Sequence, residues 1–241
     1  MTRFVGTDEF EGATFVAASF KGATLRFCDL SEVTIRGAQL DGLDIDGHDL
    51  VFGKLIVNGV DVVPLVEAEL NRRFPGRELQ NARTPPGLRE GWVAVQEAWQ
   101  QTLDDTPRDL VDAHVEDEWS LAQTLRHLVL ATDAWLRAAV MRIPEPFHEA
   151  GLPFTGADEM GFDVSIFRAE VPFDEVLAVR AERQQMVTDF LSTVTQEQLD
   201  EERNDPWGSD WRPTVGDCIR VILEEEWAHL RYVRRDLALL G

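Results

Sequence analysis

Near the amino terminus, apolar residues recur at every fifth position, a spacing that belongs to neither an α-helix nor a flat β-strand. The residues that follow this period are Phe10, Phe15, Phe20, Leu25, Leu30, Ile35, Leu40, Ile45, Leu50, Leu55 and Val60. Two positions before several of them stands a small residue, such as Ala13, Ala18 or Ala23. The pattern predicts a coiled repeat with large and small side chains alternating toward its interior.

This segment resembles the pentapeptide-repeat family from about residue 8 to residue 60, most clearly from Phe10 to Leu40. The resemblance implies a short right-handed quadrilateral β-helix. Each five-residue unit would form one side of a square coil and place its large residue and small companion in the core. About ten units make only two or three coils, which leave both ends open, so we expect the rest of the chain to supply a cap or a docked neighbour.

After Asp61 the five-residue period stops and helical periods begin. A short pattern from Leu65 ends at Phe74-Pro75-Gly76, and we interpret it as a connector helix. Four longer helices are expected near residues 88–104, 120–142, 173–195 and 214–239. These four patterns predict an all-α four-helix bundle.

Two of the long helices carry start signals. Ser120 with Gln123, and Thr214 with Asp217, have the spacing at which a side chain and a backbone N–H cap each other reciprocally. We therefore expect helices to begin directly after Ser120 and Thr214.

Between the second and third long helices, residues 143–172 show no sustained period and are interrupted by prolines and glycines. A connection this long fits a bundle with a crossover and is a natural place for a lid. The predicted fold is an α+β multidomain chain. It has a pentapeptide-repeat β-helix at 1–60, a connector helix and linker at 61–86, and a four-helix bundle at 87–241 with the crossover between helices two and three.

Candidate metal ligands occur on two of the predicted helices. His127 lies mid-helix, where a lone histidine is more often a hydrogen-bonded structural residue than a ligand. Glu225 and His229 are four residues apart and share a helix face, so a carboxylate oxygen and an imidazole nitrogen can bind one ion. A third ligand from a facing helix would complete an open tripod. Glu226 is the competing ligand, and we favour Glu225.

Residues from about 87 to 240 resemble the DinB-like four-helix metalloproteins, which include the mycothiol-dependent maleylpyruvate isomerase and related thiol transferases. The resemblance is carried by Trp119-Ser120 leading into His127-Leu128, and by the stretch from Glu224 to Asp236. Many members use three histidines, and Glu225 at the middle position resembles the isomerase branch. The resemblance implies a divalent-metal triad of His127, Glu225 and His229, for which we expect zinc, with nickel as the alternative.

The resemblance favours a metal-dependent enzyme acting on a small molecule. A thiol-dependent transferase or isomerase is expected first, with mycothiol as the candidate low-molecular-weight thiol, and a hydrolase is the sister reaction. The alternative is a non-catalytic interaction protein, in which the repeat docks a partner and the bundle is structural. The sequence leaves open whether the chain forms a homodimer.

The charge and composition of the chain limit the kinds of partner molecule and the cell compartment that we expect for it. The chain has 44 Asp+Glu against 23 Lys+Arg, a net charge of -21, which disfavours nucleic-acid binding because phosphate contacts require Lys and Arg. No window has the roughly 18 apolar residues of a membrane span. The amino terminus turns acidic within its first residues, unlike a secretory signal, so we expect a cytoplasmic protein. Cys28 and Cys218 are accordingly expected to be two buried thiols.

Overall fold

The computed structural model describes residues 4, 6–7, 9–26, 28–47, 53–154, 156–158 and 162–241. The chain divides into two compact units, Met1–Asp46 and Gly47–Gly241. Leu50 of the five-residue pattern lies outside the described residues.

In the first unit, a turn recurs every ten residues. The N–H groups of Ala13, Ala23, Val33 and Leu43 donate to the carbonyls of Phe10, Phe20, Leu30 and Leu40 over 2.9–3.2 Å. The third residue of each turn has a positive φ, which glycine adopts without strain, and it is Gly12, Gly22, Glu32 or Gly42. One such turn therefore occurs in every two five-residue units of the repeat.

The sequence predicts that the large residues of the repeat are buried in its core, but in the structure they are exposed. Phe10, Phe15 and Phe20 are 44%, 52% and 56% exposed, although their rings contact one another, with centroids 5.9 and 5.2 Å apart. The physical reason is the small number of repeats, because in a solenoid of two or three coils most coils are covered on one side at most.

A hairpin follows the repeat. Strands β1 (Ile56–Val57) and β2 (Val60–Asp61) pair antiparallel. Asn58 and Gly59 connect them with φ values of 51° and 83°, the combination that a two-residue type I′ turn requires. Val60 keeps the five-residue spacing but belongs to this hairpin.

The second unit is mainly helical. Its α-helices are α1 (Val63–Arg73), α2 (Pro85–Asp105), α3 (Leu121–Thr132), α4 (Phe173–Thr193), α5 (Gln196–Leu199) and α6 (Val215–Leu240). A π-helical segment, Asp133–Val140, continues α3, and 3₁₀ turns lie at Arg77–Asn81, Arg108–Leu110 and Val164–Ile166. The four long helices are confirmed. Within the described residues, no helix has the length and apolar character needed to cross a membrane.

Contacts between helices define their directions. Arg89 of α2 donates to the carbonyl of Leu191 of α4, and Trp92 Nε1 donates to Thr188 over 3.0 Å, so α2 and α4 are antiparallel. The two helices pack on a shared core with α3 and α6.

Helices α3 and α4 run parallel. Arg126, in the middle of α3, contacts the segment just before α4, whereas Asp133, directly after α3, pairs with Arg183 in the middle of α4. Parallel neighbours need a connection that returns along the bundle, which is the physical reason for the long crossover at 143–172.

The crossover is held by one buried guanidinium. Arg126 donates to the carbonyls of Ala150 (3.0 Å), Gly151 (3.1 Å), Ala169 (3.0 Å) and Arg168. These carbonyls come from both ends of the crossover, so a single side chain satisfies backbone acceptors that would otherwise lack partners.

Both cysteines are free, as expected, but only one is buried. Cys218 of α6 lies in the core, where burial raises the pKa of its thiol to about 12. Cys28 is exposed, which contradicts the expectation of two buried thiols. It belongs to the repeat, whose core is too small to cover it.

Arg126→Met is predicted to destabilise the bundle by about 2–4 kcal/mol, because several backbone acceptors lose a charged donor at once. Urea denaturation followed by circular dichroism measures this loss. Limited chymotrypsin digestion is also expected to cut faster at the phenylalanines of 143–172. Arg89→Met is the matched control, since it removes a guanidinium that donates to one carbonyl and should cost about 1 kcal/mol. Equal losses in the two variants would contradict the role assigned to Arg126.

Thiol titration tests the two cysteines. The native protein should react with one equivalent of a disulfide reagent at Cys28 and with two equivalents after unfolding, because Cys218 is buried and holds its proton. Cys28→Ser should abolish the native reaction. A native protein that reacts at both positions would show that α6 opens readily.

Candidate metal centre

Two reciprocal caps fix the helices that carry the candidate ligands. The Gln123 N–H donates to Ser120 Oγ (3.2 Å), and the Ser120 N–H donates to Gln123 Oε1 (3.1 Å). At the start of α6, the Asp217 N–H donates to Thr214 Oγ1 (3.1 Å), and the Thr214 N–H donates to Asp217 Oδ2 (2.8 Å). Both predicted caps are confirmed.

The structure brings His127, Glu225 and His229 together. Glu225 Oε2 lies 3.1 Å from His229 Nε2 and 3.5 Å from His127 Nε2. One ligand atom from each residue lies within 4.8 Å of the others. Two imidazole nitrogens from different helices thus face the same carboxylate oxygen, and the three residues could hold a metal ion.

A backbone carbonyl of the crossover orients His127. Its Nδ1 lies 3.1 Å from the carbonyl oxygen of Leu152, so Nδ1–H can donate there while Nε2 faces Glu225. A hydrogen bond of this kind sets the ring angle and selects the nitrogen that remains for a metal. No motif in the sequence indicates which carbonyl would fill this role.

Aromatic rings pack against both histidines. Trp119 stacks on His229 at 5.8 Å and 16° and lies 4.7 Å from the ring of His127. Tyr232 meets His229 edge-on at 5.6 Å. The Glu225 side chain keeps 34% of its surface exposed, against 14% for His229 and 9% for His127, so solvent reaches the cluster mainly beside the carboxylate.

The electrostatics favour the protonation states that bind metals. Desolvation opposes ionisation of Glu225, but its interactions with the rings of His127 and His229 outweigh it and hold the pKa of this carboxyl below its usual range. Burial lowers the pKa of His229 despite the neighbouring carboxylate. An ionised carboxylate beside a neutral imidazole is the state that a metal ion requires.

Three consecutive glutamates of α6 have different surroundings. Burial raises the pKa of Glu224 to about 7, with a further contribution from the charge of Glu225. Glu226 points into the bundle and pairs with Arg180 at 2.5 Å, and the two side chains are 1% and 3% exposed. The structure therefore brings Glu225, and not the competing Glu226, to the two histidines. The buried partner Arg180 is not evident from the sequence.

Among the residues that the structure describes, two further histidines lie outside the cluster. The ring of His114 contacts the carbonyl of Glu118 at 2.9 Å, and His148 Nδ1 accepts a hydrogen bond from the Ala150 N–H. Both rings therefore have local partners.

Comparison with known families identifies both parts of the chain. The family model of the DinB superfamily matches residues 62–233, and the model of the pentapeptide repeats matches 9–49 with eight copies. Both predicted resemblances are confirmed at the level of the family. The first match begins at 62 and therefore includes α1. No curated protein and no solved structure matches the chain.

Glu226→Gln is predicted to lower the free energy of unfolding by about 3 kcal/mol, because it leaves the Arg180 guanidinium buried without a counter-charge. Glu225→Gln is the matched control. Its side chain is one-third exposed, so it should cost less than about 1 kcal/mol in chelator-treated protein. Urea denaturation of both variants distinguishes them, and a larger loss for Glu225→Gln would contradict the assigned environments.

Proposed function

We propose that this chain, which belongs to the DinB superfamily, holds one divalent metal ion at His127, Glu225 and His229 and acts on a small molecule there. The observation that carries the proposal is the convergence of both Nε2 atoms on Glu225 Oε2. DinB domains usually bind a divalent metal, which supports the same reading.

The donor set fits such an ion. Two imidazole nitrogens and one carboxylate oxygen suit zinc, with nickel as the alternative, and three protein ligands leave coordination positions open. The Leu152 carbonyl engages the other nitrogen of His127, so that ring offers only Nε2. The ionised Glu225 and the neutral His229 need no costly change of protonation to bind a cation.

A divalent metal at this position would supply Lewis acidity that lowers the pKa of a thiol or a water molecule toward neutrality. The chain's own residues orient the reactants. Trp119 limits the movement of both imidazole rings, and the exposed side of Glu225 provides an approach for a small molecule.

For the reaction, we propose thiol-dependent transfer or isomerisation with a low-molecular-weight thiol such as mycothiol, and hydrolysis as the second choice. Glu225 in place of a histidine at the middle ligand position supports this order, because it resembles the isomerase branch of the family. The cluster lies beside the crossover at 143–172, which is long enough to shape a substrate pocket.

The repeat favours a second candidate role. Its apolar residues, including Phe10, Phe15 and Phe20, are about half exposed, as expected for a segment that docks on a partner. In this alternative, the bundle is a structural support and the histidine cluster has no metal.

Elemental analysis of protein purified without chelator tests the proposal. We expect about one zinc or nickel ion per chain, and most of it should be lost in His127→Ala, Glu225→Ala and His229→Ala because two ligands hold an ion poorly. His114→Ala is the control and should retain full occupancy, since His114 lies outside the cluster.

Activity is measured on the same proteins. Metal-loaded and chelated samples are assayed with mycothiol and maleylpyruvate, and with a nitrophenyl ester for hydrolysis. Metal-dependent turnover that disappears in Glu225→Ala supports the enzyme. Absence of metal after supplementation would refute the metal site and favour the interaction role.

A further inference from the structure

A cavity lies at the end of the π-helical segment that continues α3, away from the histidine cluster. Its volume is about 440 Å³, and it forms between the end of the π-helical segment and residues 202–212. Three arginines line it, namely Arg142, Arg203 and Arg212, together with the apolar Ala139 and Pro206. At about 1.5 Å per residue, the rise from His127 along α3 and the π-helical segment to Ala139 is roughly 18 Å, so the two sites are separate.

These arginines are unusual in a chain with 44 acidic and 23 basic residues. Among the described residues, Arg142 makes no hydrogen bond or ion pair, and Arg212 contacts only the amide oxygen of Asn204. Arg203 pairs with Glu201 at 2.8 Å, but its buried Nε has no acceptor within the described part of the chain. The cavity therefore contains two guanidinium groups, those of Arg142 and Arg212, without a carboxylate partner among the described residues, and one buried N–H of Arg203 without an acceptor there.

The backbone at Arg142 gives an independent observation. This residue follows the helical segment with a φ of 58°, in the left-handed region that favours glycine. A long cationic side chain stands where a residue without a side chain would fit with less strain. Strain of this kind is common at binding sites, where it is offset by what the side chain contacts.

Two acidic residues also line the cavity and must be weighed against the arginines. Asp205 accepts hydrogen bonds from the backbone N–H groups of Trp207 (3.3 Å) and Ser209 (3.0 Å), which offset its charge. Glu202 has no such contact among the described residues, so it opposes the binding of an anion. The lining itself has three arginines against these two carboxylates, and Glu201 pairs with Arg203, so the positive charge open to a ligand is that of Arg142 and Arg212.

We propose that this cavity binds a small oxyanion, a phosphorylated or carboxylated molecule, through the guanidinium groups of Arg142, Arg203 and Arg212. Guanidinium groups bind both chemistries through paired N–H donors. Arg142 follows the π-helical segment and Arg212 belongs to the loop before α6, so the two arginines of the lining come from separate parts of the chain. The proposal does not depend on the metal site.

Isothermal titration calorimetry of the full chain at low ionic strength tests it, with inorganic pyrophosphate and citrate as probes. We expect binding at one site and a loss of about tenfold or more in affinity for Arg142→Gly, the size expected when a charged hydrogen-bond donor is removed. The Tm of Arg142→Gly should equal or exceed that of the native chain, because glycine relieves the left-handed backbone. A mere loss of structure would lower the Tm.

Two matched variants sharpen the experiment. Glu116 also has a positive φ, 50°, and does not line the cavity, so Glu116→Gly should leave the affinity unchanged. Glu202→Gln should increase the affinity by removing the opposing charge. Tighter binding of pyrophosphate supports a phosphorylated ligand, and tighter binding of citrate supports a polycarboxylate.

His229→Ala separates this cavity from the proposed metal centre, since an anion can also bind a metal ion. Affinity that persists in His229→Ala and falls in Arg142→Gly supports the proposal. Affinity lost in His229→Ala, affinity retained in Arg142→Gly, or no binding of either probe would overturn it.

Discussion

The hydrogen bonds of Arg126 are the constraint on which the candidate centre depends. Because α3 and α4 are parallel, the chain between them must return along the bundle, and such a segment has backbone carbonyls that no helix or sheet satisfies. The Arg126 guanidinium donates hydrogen bonds to four of these carbonyls, which come from both ends of the crossover. The adjacent residue in sequence, His127, meets the Leu152 carbonyl of the same crossover. The interaction that closes the fold therefore also sets the angle of a candidate ligand.

Helix α6 supplies the complementary half of this arrangement. Successive residues on an α-helix are rotated by about 100°, so Glu225 and Glu226 cannot face the same environment. Glu225 turns to the histidines at the accessible side of the bundle, whereas Glu226 turns inward to Arg180. Of these two neighbours, Glu225 is therefore a candidate metal ligand and Glu226 is a structural residue. The buried pair is costly to desolvate, and its value lies in fixing the rotation of α6, which in turn fixes where Glu225 and His229 point.

Local signals account for what could be predicted. The four long helices and the caps at Ser120 and Thr214 depend on periodicity and on hydrogen bonds within a few residues, and both are readable in the sequence. The Asn58-Gly59 turn has a local signal of the same kind, but the prediction of a repeat through Val60 overlooked it. The Leu152 carbonyl, the inward partner Arg180 and the cavity at Arg142 depend on contacts between segments distant in sequence, which periodicity does not encode. The exposure of Phe10 and Phe20 follows from the number of coils, a property of the whole repeat and not of its five-residue unit.

Because the chain as a whole is acidic, the arginines without a carboxylate partner in the cavity at Arg142 are the feature that could attract an anion. With a net charge of -21, the chain as a whole repels anions, and most arginines of the second unit have carboxylate or carbonyl acceptors nearby. An anion will approach such a surface only where local guanidinium donors outweigh the general field. The cavity at Arg142 is the candidate for this condition, because Arg142 and Arg212 have no carboxylate partner among the described residues and Asp205 of the lining accepts backbone N–H groups. The same reasoning applies with the opposite sign at Glu225, where an acidic chain attracts a cation to a carboxylate already flanked by imidazoles. Charge composition therefore disfavours the proposed anion site and favours the proposed metal site, and local geometry is the reason for proposing each one where it is.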